Sequence, residues 1–208
     1  MTATNCAPDE GAFSFVPGVA PEQLRHDIRG WEFRTTKLLL QTRRSPEDLT
    51  GPFLVGIHRD VFGKHFPEQA GRFRTCEAHF GARAGAPPEQ IEGLMQQLVA
   101  NLAAHLEEVK NQPDPELKIN RAFLCAALDH AEMIRIHPFV DGNGRWARIA
   151  TNAFLYDCGF PVGTLIPRAK KRDYIAAVDR CIDDQAPGDL ANLLLLGYVD
   201  VIKKRTSP

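Results

Sequence analysis

The stretch His137-Pro138-Phe139-Val140-Asp141-Gly142-Asn143-Gly144-Arg145-Trp146-Ala147-Arg148 concentrates side chains that can do chemistry. Pro138 disfavours the α region for the residue before it, so a helix arriving from upstream has to end at His137. Asp141, Gly142, Asn143 and Gly144 are turn formers. The two glycines permit positive φ and let a ligand approach backbone N–H groups. A helix pattern restarts directly afterwards, so the turn opens onto a helix N-terminus, whose orphan N–H groups and dipole attract anions. Within that helix Arg145, Arg148 and Asn152 stand three and four residues apart on one polar stripe, while Trp146, Ile149, Ala150 and Ala153 can face a core. A turn of amides followed by two in-line arginines suits a polyphosphate. His137 has an ordinary pKa of ~6.5, so it can take a proton at neutral pH and return it. Asp141 is a hard oxygen ligand of the kind that holds the Mg²⁺ accompanying nucleotide phosphates. The combination suggests a base aimed at a nucleotide phosphate, with metal and amides absorbing negative charge.

Those residues need a scaffold. The chain has 208 residues, and at ~150 residues per domain one domain with an extension is expected. We divide it into an N-terminal arm and helix, 1–50, and a main domain, 51–208. The 25 basic and 26 acidic residues leave a net charge of −1, which removes the electrostatic footprint of a general nucleic-acid binder. Arg43-Arg44, Lys170-Lys171-Arg172 and Lys203-Lys204-Arg205 are read as helix-end charges. No apolar run approaches the ~18 residues of a membrane span. The first residues lack the basic-then-apolar order of a secretory signal. Five scattered cysteines with no C-x-x-C pair argue against a complete disulfide framework and a clustered zinc site. They read as small apolar residues of a reduced, cytosolic protein. His58 with His65, and His130 with His137, are seven apart and lack the four-residue spacing of a clear metal pair.

Periodicity predicts helices. Residues 1–20 read as a loose arm, followed by a helix over Glu22–Thr42. Ser45-Pro46-Glu47-Asp48 reads as the start of a second helix, with Ser45 as N-cap, running to Phe62 and ended by Gly63 and Pro67. Residues 67–86, rich in glycine, arginine and histidine, read as a small hairpin or flap. Ile91, Leu94, Leu98, Leu102 and Leu106 repeat at three and four. A polar loop at Lys110–Glu116 leads to a helix through about Arg135. Its near-uniform apolar character marks it as central. Further helices are predicted near Asn143–Cys158, Pro167–Asp183 and Asp189–Lys204. The fold class is all-α with one small β element.

The 137–148 segment resembles the core motif of Fic domains, H-P-F-x-D/E-G-N-G-R-x-x-R, and matches it at every defined position. Ile57-His58-Arg59-Asp60-Val61-Phe62 and Gln69-Ala70-Gly71-Arg72-Phe73-Arg74 resemble the family's upstream region, with Gln69 where a tryptophan is usual. The stretch from Phe154 to Pro161 resembles the family's segment just C-terminal to the motif. The resemblance covers roughly residues 53–205 and implies a helical bundle with a β-hairpin flap over the site.

It further implies transfer of AMP from ATP to a hydroxyl of a target protein, with release of pyrophosphate. By the same resemblance His137 is the general base and Asp141 binds Mg²⁺. Gly142, Asn143 and Gly144 form the anion hole, Arg145 supports the phosphates, and Arg148 binds the distal phosphate. Phe139 anchors the loop. Asn152 falls on the nucleotide-facing stripe, and Tyr174 near the nucleoside; an ordinary amphipathic position explains Tyr174 equally well. The Arg72–Pro88 segment corresponds to the flap, which docks an extended target segment by strand addition. Kinase-like members resembling Doc carry A-N-K-R where this chain has Gly142-Asn143-Gly144-Arg145, so the nucleotidyl route is favoured. Transfer of UMP or GMP, removal of AMP, and a silent binding module stay as alternatives. Many family members insert a glutamate from an S/T-x-x-x-E-G/N helix against the second arginine. Here Glu precedes Gly only at Glu10 and Glu92, with Cys6 and Pro88 four positions earlier. The expectation is therefore an unrestrained chain or a small antitoxin-like partner supplying the glutamate, as in toxin–antitoxin pairs, with Glu32 as a non-standard candidate in cis. The expected compartment is the cytoplasm, or a target cell's cytosol after delivery.

Overall fold

The computed structural model describes residues 22–23, 49–64, 66–160 and 170–206. Six helices and one hairpin are found among them: α1 (Gly51–Phe62), β1 (His79–Phe80), β2 (Arg83–Ala84), α2 (Ile91–Lys110), α3 (Pro115–Ile136), α4 (Asn143–Asp157), α5 (Lys171–Asp184) and α6 (Gly188–Thr206). The expected all-α class with a small β element is borne out. Residues 1–20, most of the Glu22–Thr42 helix, the Ser45 cap, Glu32 and His65 lie outside the described residues.

The second predicted helix is corrected at its start. Thr50 is extended (φ −95°, ψ 165°), its Oγ1 accepts from the Phe53 N–H at 3.4 Å, and the helix begins at Gly51. Pro52 sits in the first turn, where its missing N–H costs no helical bond. A continuous helix from Ser45 is therefore interrupted by local cap chemistry. Leu54, Ile57, Val61 and Phe62 form the buried face of α1.

The chain divides into two compact units. The first runs up to Val99 and includes Met133–Ala150; the second comprises Ala100–Glu132 and the residues from Thr151 onward. In the first, Phe62, Phe139 and Trp146 are fully buried with Leu54, Ile57 and Leu98. Each such side chain contributes about 1.5–3 kcal/mol by leaving water. In the second, Phe123, Phe160 and Tyr198 form an aromatic triangle with centroids 5.5–5.6 Å apart. The predicted central helix, α3, buries Ala122, Phe123, Ala126, Ala127, Ala131 and Ile134.

The hairpin pairs His79 with Ala84 and Phe80 with Arg83, antiparallel. Gly81 opens its two-residue turn at φ +61°, a conformation that glycine adopts without strain. Cys125, Cys158 and Cys181 are free and buried, which pushes the thiols up, to about 11 at Cys125 and about 12 at Cys158. They pack as small apolar residues. Cys76 is disulfide-bonded, which corrects the expectation of five unpaired thiols. Spacing along the chain does not limit a pair that folding brings together. Among the described residues no helix is long and apolar enough to cross a membrane.

Candidate active site

The loop between α3 and α4 is built by four side chains. α3 stops at Ile136, and His137 takes φ +51° while its N–H still bonds the Met133 carbonyl at 3.2 Å. A left-handed non-glycine residue before proline is strained, typically by 1–3 kcal/mol, so the surroundings must hold it. Phe139 supplies part of that hold. Its ring is fully buried, stacks on His58 at 3.7 Å and meets Trp146 edge-on at 5.2 Å. The Trp146 indole N–H in turn bonds the Leu54 carbonyl at 2.7 Å.

Asn143 closes the loop. Its Oδ1 accepts from the Phe139 N–H at 3.0 Å and its Nδ2 donates to the Phe139 carbonyl at 2.8 Å. The Asn143 side chain is thus a clamp, and its contribution to an anion hole is confined to its backbone. Gly142 sits at φ +81°, and a Cβ there would lie 2.5 Å from the Phe62 ring. Only glycine fits. At Gly144 an added Cβ would meet only the Arg148 guanidinium, at 3.7 Å. Among the described residues there is therefore room beside Gly144, whereas Gly142 and Asn143 are buried. The first turn closes with the Arg145 and Trp146 N–H groups on the Gly142 carbonyl. Arg145 lies over the Phe62 ring at 5.6 Å, and Arg148 follows one turn later.

His137 is in the state a base requires. Its Nδ1 faces the Ile134 carbonyl at 3.3 Å. A carbonyl only accepts, so Nδ1 carries the proton and Nε2 carries the lone pair. The ring stacks on Phe80 of the hairpin, 5.0 Å between centroids and 10° between planes. Burial pushes its pKa down to about 4, with the Arg74 cation assisting and Asp141 opposing. Neutral imidazole is therefore the resting form at pH 7.

Spacing alone offers His58 as a weak metal-ligand candidate, and the structure gives it another role. Its Nδ1 accepts from the Gly71 N–H and its Nε2 donates to the Asp141 carbonyl, both at 2.9 Å. With both nitrogens used, it cannot ligate. Burial holds it neutral, with a pKa of about 4. His130 is likewise engaged on both sides, by Thr151 at 2.9 Å and by the Tyr174 hydroxyl at 2.7 Å. Among the described residues no three His, Cys, Asp or Glu side chains gather as a metal cage. Asp141 Oδ1 accepts from the Gly142 N–H and remains half-buried at the loop surface. A single carboxylate at the start of a helix fits Mg²⁺, which keeps its waters and takes its other ligands from phosphates.

The structure brings His137, Asp141, Gly142, Asn143, Gly144, Arg145 and Arg148 into one loop-and-helix unit. Asn152 is buried one turn beyond Arg148 on α4. Tyr174 lies on α5, its hydroxyl held by His130. Sequence reading assigns no positioning role to Arg74 or His58, because their partners are main-chain groups distant in sequence.

A family model described as "Fic/DOC family" matches residues 48–155, just over half of the chain. A protein adenylyltransferase of Nematostella vectensis is 36% identical over 115 residues, which cover 55% of this chain and 25% of that protein. A Caenorhabditis elegans adenylyltransferase is 32% identical over 125 residues, 60% of this chain and 22% of that protein. The matched region thus spans about a quarter of the length of these curated relatives. A Caenorhabditis elegans Fic-1 fragment of known structure superposes with TM-score 0.65 at 22% identity, covering 92% of this chain and 56% of that one. An ADP-bound Fic domain from Bartonella quintana does so with TM-score 0.64 at 20% identity, covering 86% of each chain. On the match of motif, fold and family model together, this chain belongs to the Fic/DOC family.

Proposed function

We propose that the chain is a protein adenylyltransferase that moves AMP from ATP to a Ser, Thr or Tyr hydroxyl of a target protein. The observation that carries this reading is the neutral His137, with its Nε2 lone pair available, set beside the glycine turn at the N-terminus of α4. His137 Nε2 takes the hydroxyl proton as the target oxygen bonds the α-phosphorus. The bond from that phosphorus to the bridging oxygen breaks, and pyrophosphate leaves. The backbone N–H groups of Asn143 and Gly144 stabilise the charge that develops on the phosphate oxygens, the Gly142 N–H being held by the Asp141 carboxylate, and Arg145 and Arg148 hold the phosphates beyond. Asp141 would hold Mg²⁺, which supplies neutralising charge to the α- and β-phosphates.

The adenylyltransferase names of the relatives support the reaction class, and the bound ADP of the Bartonella quintana domain supports an adenine nucleotide. This sequence contains no S/T-x-x-x-E-G/N segment, and we read the chain as active by itself or restrained by a small partner carrying the glutamate. The test uses the purified chain, Mg²⁺ and a cell lysate with ATP labelled at either the α- or the γ-phosphorus. Protein label from the α-position alone supports AMP transfer. Label from the γ-position overturns it in favour of phosphate transfer, and no label from either position favours a silent module.

A further inference from the structure

Arg74 stands outside the loop that carries the chemistry, yet only 3% of the residue is exposed. Buried arginines are usually matched by carboxylates. The described hydrogen bonds of this guanidinium all end instead on backbone carbonyls. Nε donates to His137 at 2.7 Å, Nη1 to Cys76 at 2.6 Å, and Nη2 to Ala86 and, more weakly, to Ile136 at 3.4 Å. These carbonyls fall in two groups. Cys76 and Ala86 flank the β1–β2 hairpin; Ile136 and His137 end α3 and begin the loop. The main chain repeats the connection, with the Arg74 N–H on the Pro138 carbonyl at 2.9 Å and the Ala86 N–H on the Ile136 carbonyl at 3.3 Å. The junction is tightly packed: a Cβ at Gly85 would lie 2.8 Å from Arg74 Nη2 and 2.9 Å from the His137 Cβ.

We infer that Arg74 is a positioning residue that locks the hairpin base to the His137 backbone and thereby sets the distance between a docked target segment and the His137 imidazole. The inference rests on the proposed transfer reaction and on the target segment lying along the hairpin, as the family resemblance implies. A guanidinium can do this because its five donors form a rigid planar fork that reaches both segments at once. A lysine keeps the charge but offers one compact ammonium, which cannot span them. Misplacing a reacting group by about 1 Å costs on the order of a hundredfold in rate.

The variant is Arg74→Lys in the full chain, with two readouts. The first is AMP transfer: kcat is expected to fall about 10- to 100-fold, with ATP affinity within about threefold of wild type. The second is amide hydrogen exchange by NMR. The amides of residue 74 and Ala86 are expected to exchange at least about tenfold faster, with those of Ala126 and Ala127 in α3 unchanged. A wild-type kcat, or unchanged exchange at residue 74 and Ala86, overturns the inference. If R74K does not fold, Gly85→Ala crowds the same junction with Arg74 intact and carries the same two readouts, with wild-type values again overturning it. If the wild-type chain transfers no AMP, the transfer reading has failed. The exchange measurement needs no activity and decides the Arg74 connection by itself.

Discussion

His137, just past the end of α3, faces a carbonyl, a phenyl ring and a nearby guanidinium, and its pKa is pushed down to about 4. His105, on α2, faces the Asp129 carboxylate with Nδ1 3.0 Å from both oxygens, and its pKa is pushed up. Both rings are partly withdrawn from water. The difference lies in the partner. A carbonyl dipole cannot offset the desolvation of imidazolium, and the Arg74 cation works against it; a carboxylate can offset it. The same side chain is thereby prepared as a proton acceptor in one region and as half of an ion pair in the other. Asp129 records the cost of the second arrangement: burial holds its carboxyl above the usual range despite the bond to His105.

The sharpest way to break the comparison is to remove each ring. His137→Ala is expected to lower AMP transfer by about 10²–10⁴-fold while ATP binding persists, because its Nε2 serves the incoming hydroxyl and not the nucleotide. His105→Ala is expected to leave transfer within about twofold. Initial rates with α-labelled ATP and calorimetric ATP titration check both. Similar losses in the two variants would remove the distinction between base and ion pair.

A smaller effect is expected at His58, the other ring held neutral. His58→Ala leaves the Gly71 N–H and the Asp141 carbonyl without their bonds and removes the stack on Phe139. The expected loss is about 3 kcal/mol of unfolding free energy, measured by urea denaturation. A loss under about 1 kcal/mol would mean that the loop does not depend on this histidine.

Asp129→Asn is expected to cost about 1–2 kcal/mol and to bring the His105 pKa down, read from its imidazole proton shifts. An unmoved His105 pKa would assign its upward shift to something other than the carboxylate.

The pH dependence of stability is the gentlest test. His58 and His137 titrate near 4 when folded and near 6.5 when unfolded. Between those values the unfolded chain binds more protons, so stability rises with pH by about 1.4 kcal/mol per unit for each ring and levels off above 6.5. His105 has the opposite sign. Its contribution is complete below 6.5 and is lost as pH rises through its raised folded value. Urea midpoints against pH should therefore climb from pH 4 to 6.5 and then decline. In the Asp129→Asn background the decline should vanish below about pH 8, before the buried thiols come into play, and the climb remain. A climb that also disappears would show that the two depressed histidines are not its source.

Much of this chain was legible before folding was considered. The His137–Arg148 spacing contained its own turn, helix start and arginine stripe, because a proline, two glycines and a 3.6-residue period act over a few neighbours. The same locality explains why α2 to α6 fell near their predicted limits. The helix start at Gly51 was missed because two cap signals, Ser45-Pro46 and Thr50-Gly51-Pro52, stand close together. Local rules do not rank them.

Tertiary structure decided what local rules cannot express. The tautomer and charge of His137 depend on the Ile134 carbonyl, Phe80 and Arg74. The role of His58 depends on Gly71 and on Asp141, 83 residues away. Arg74 could not be recognised from composition, since its partners are carbonyls that every residue possesses. The chain by itself therefore determined which groups could do chemistry and the element each would stand on. Their protonation, and what holds them in place, had to wait for folding, because desolvation and main-chain hydrogen bonding depend on distances in space rather than along the sequence.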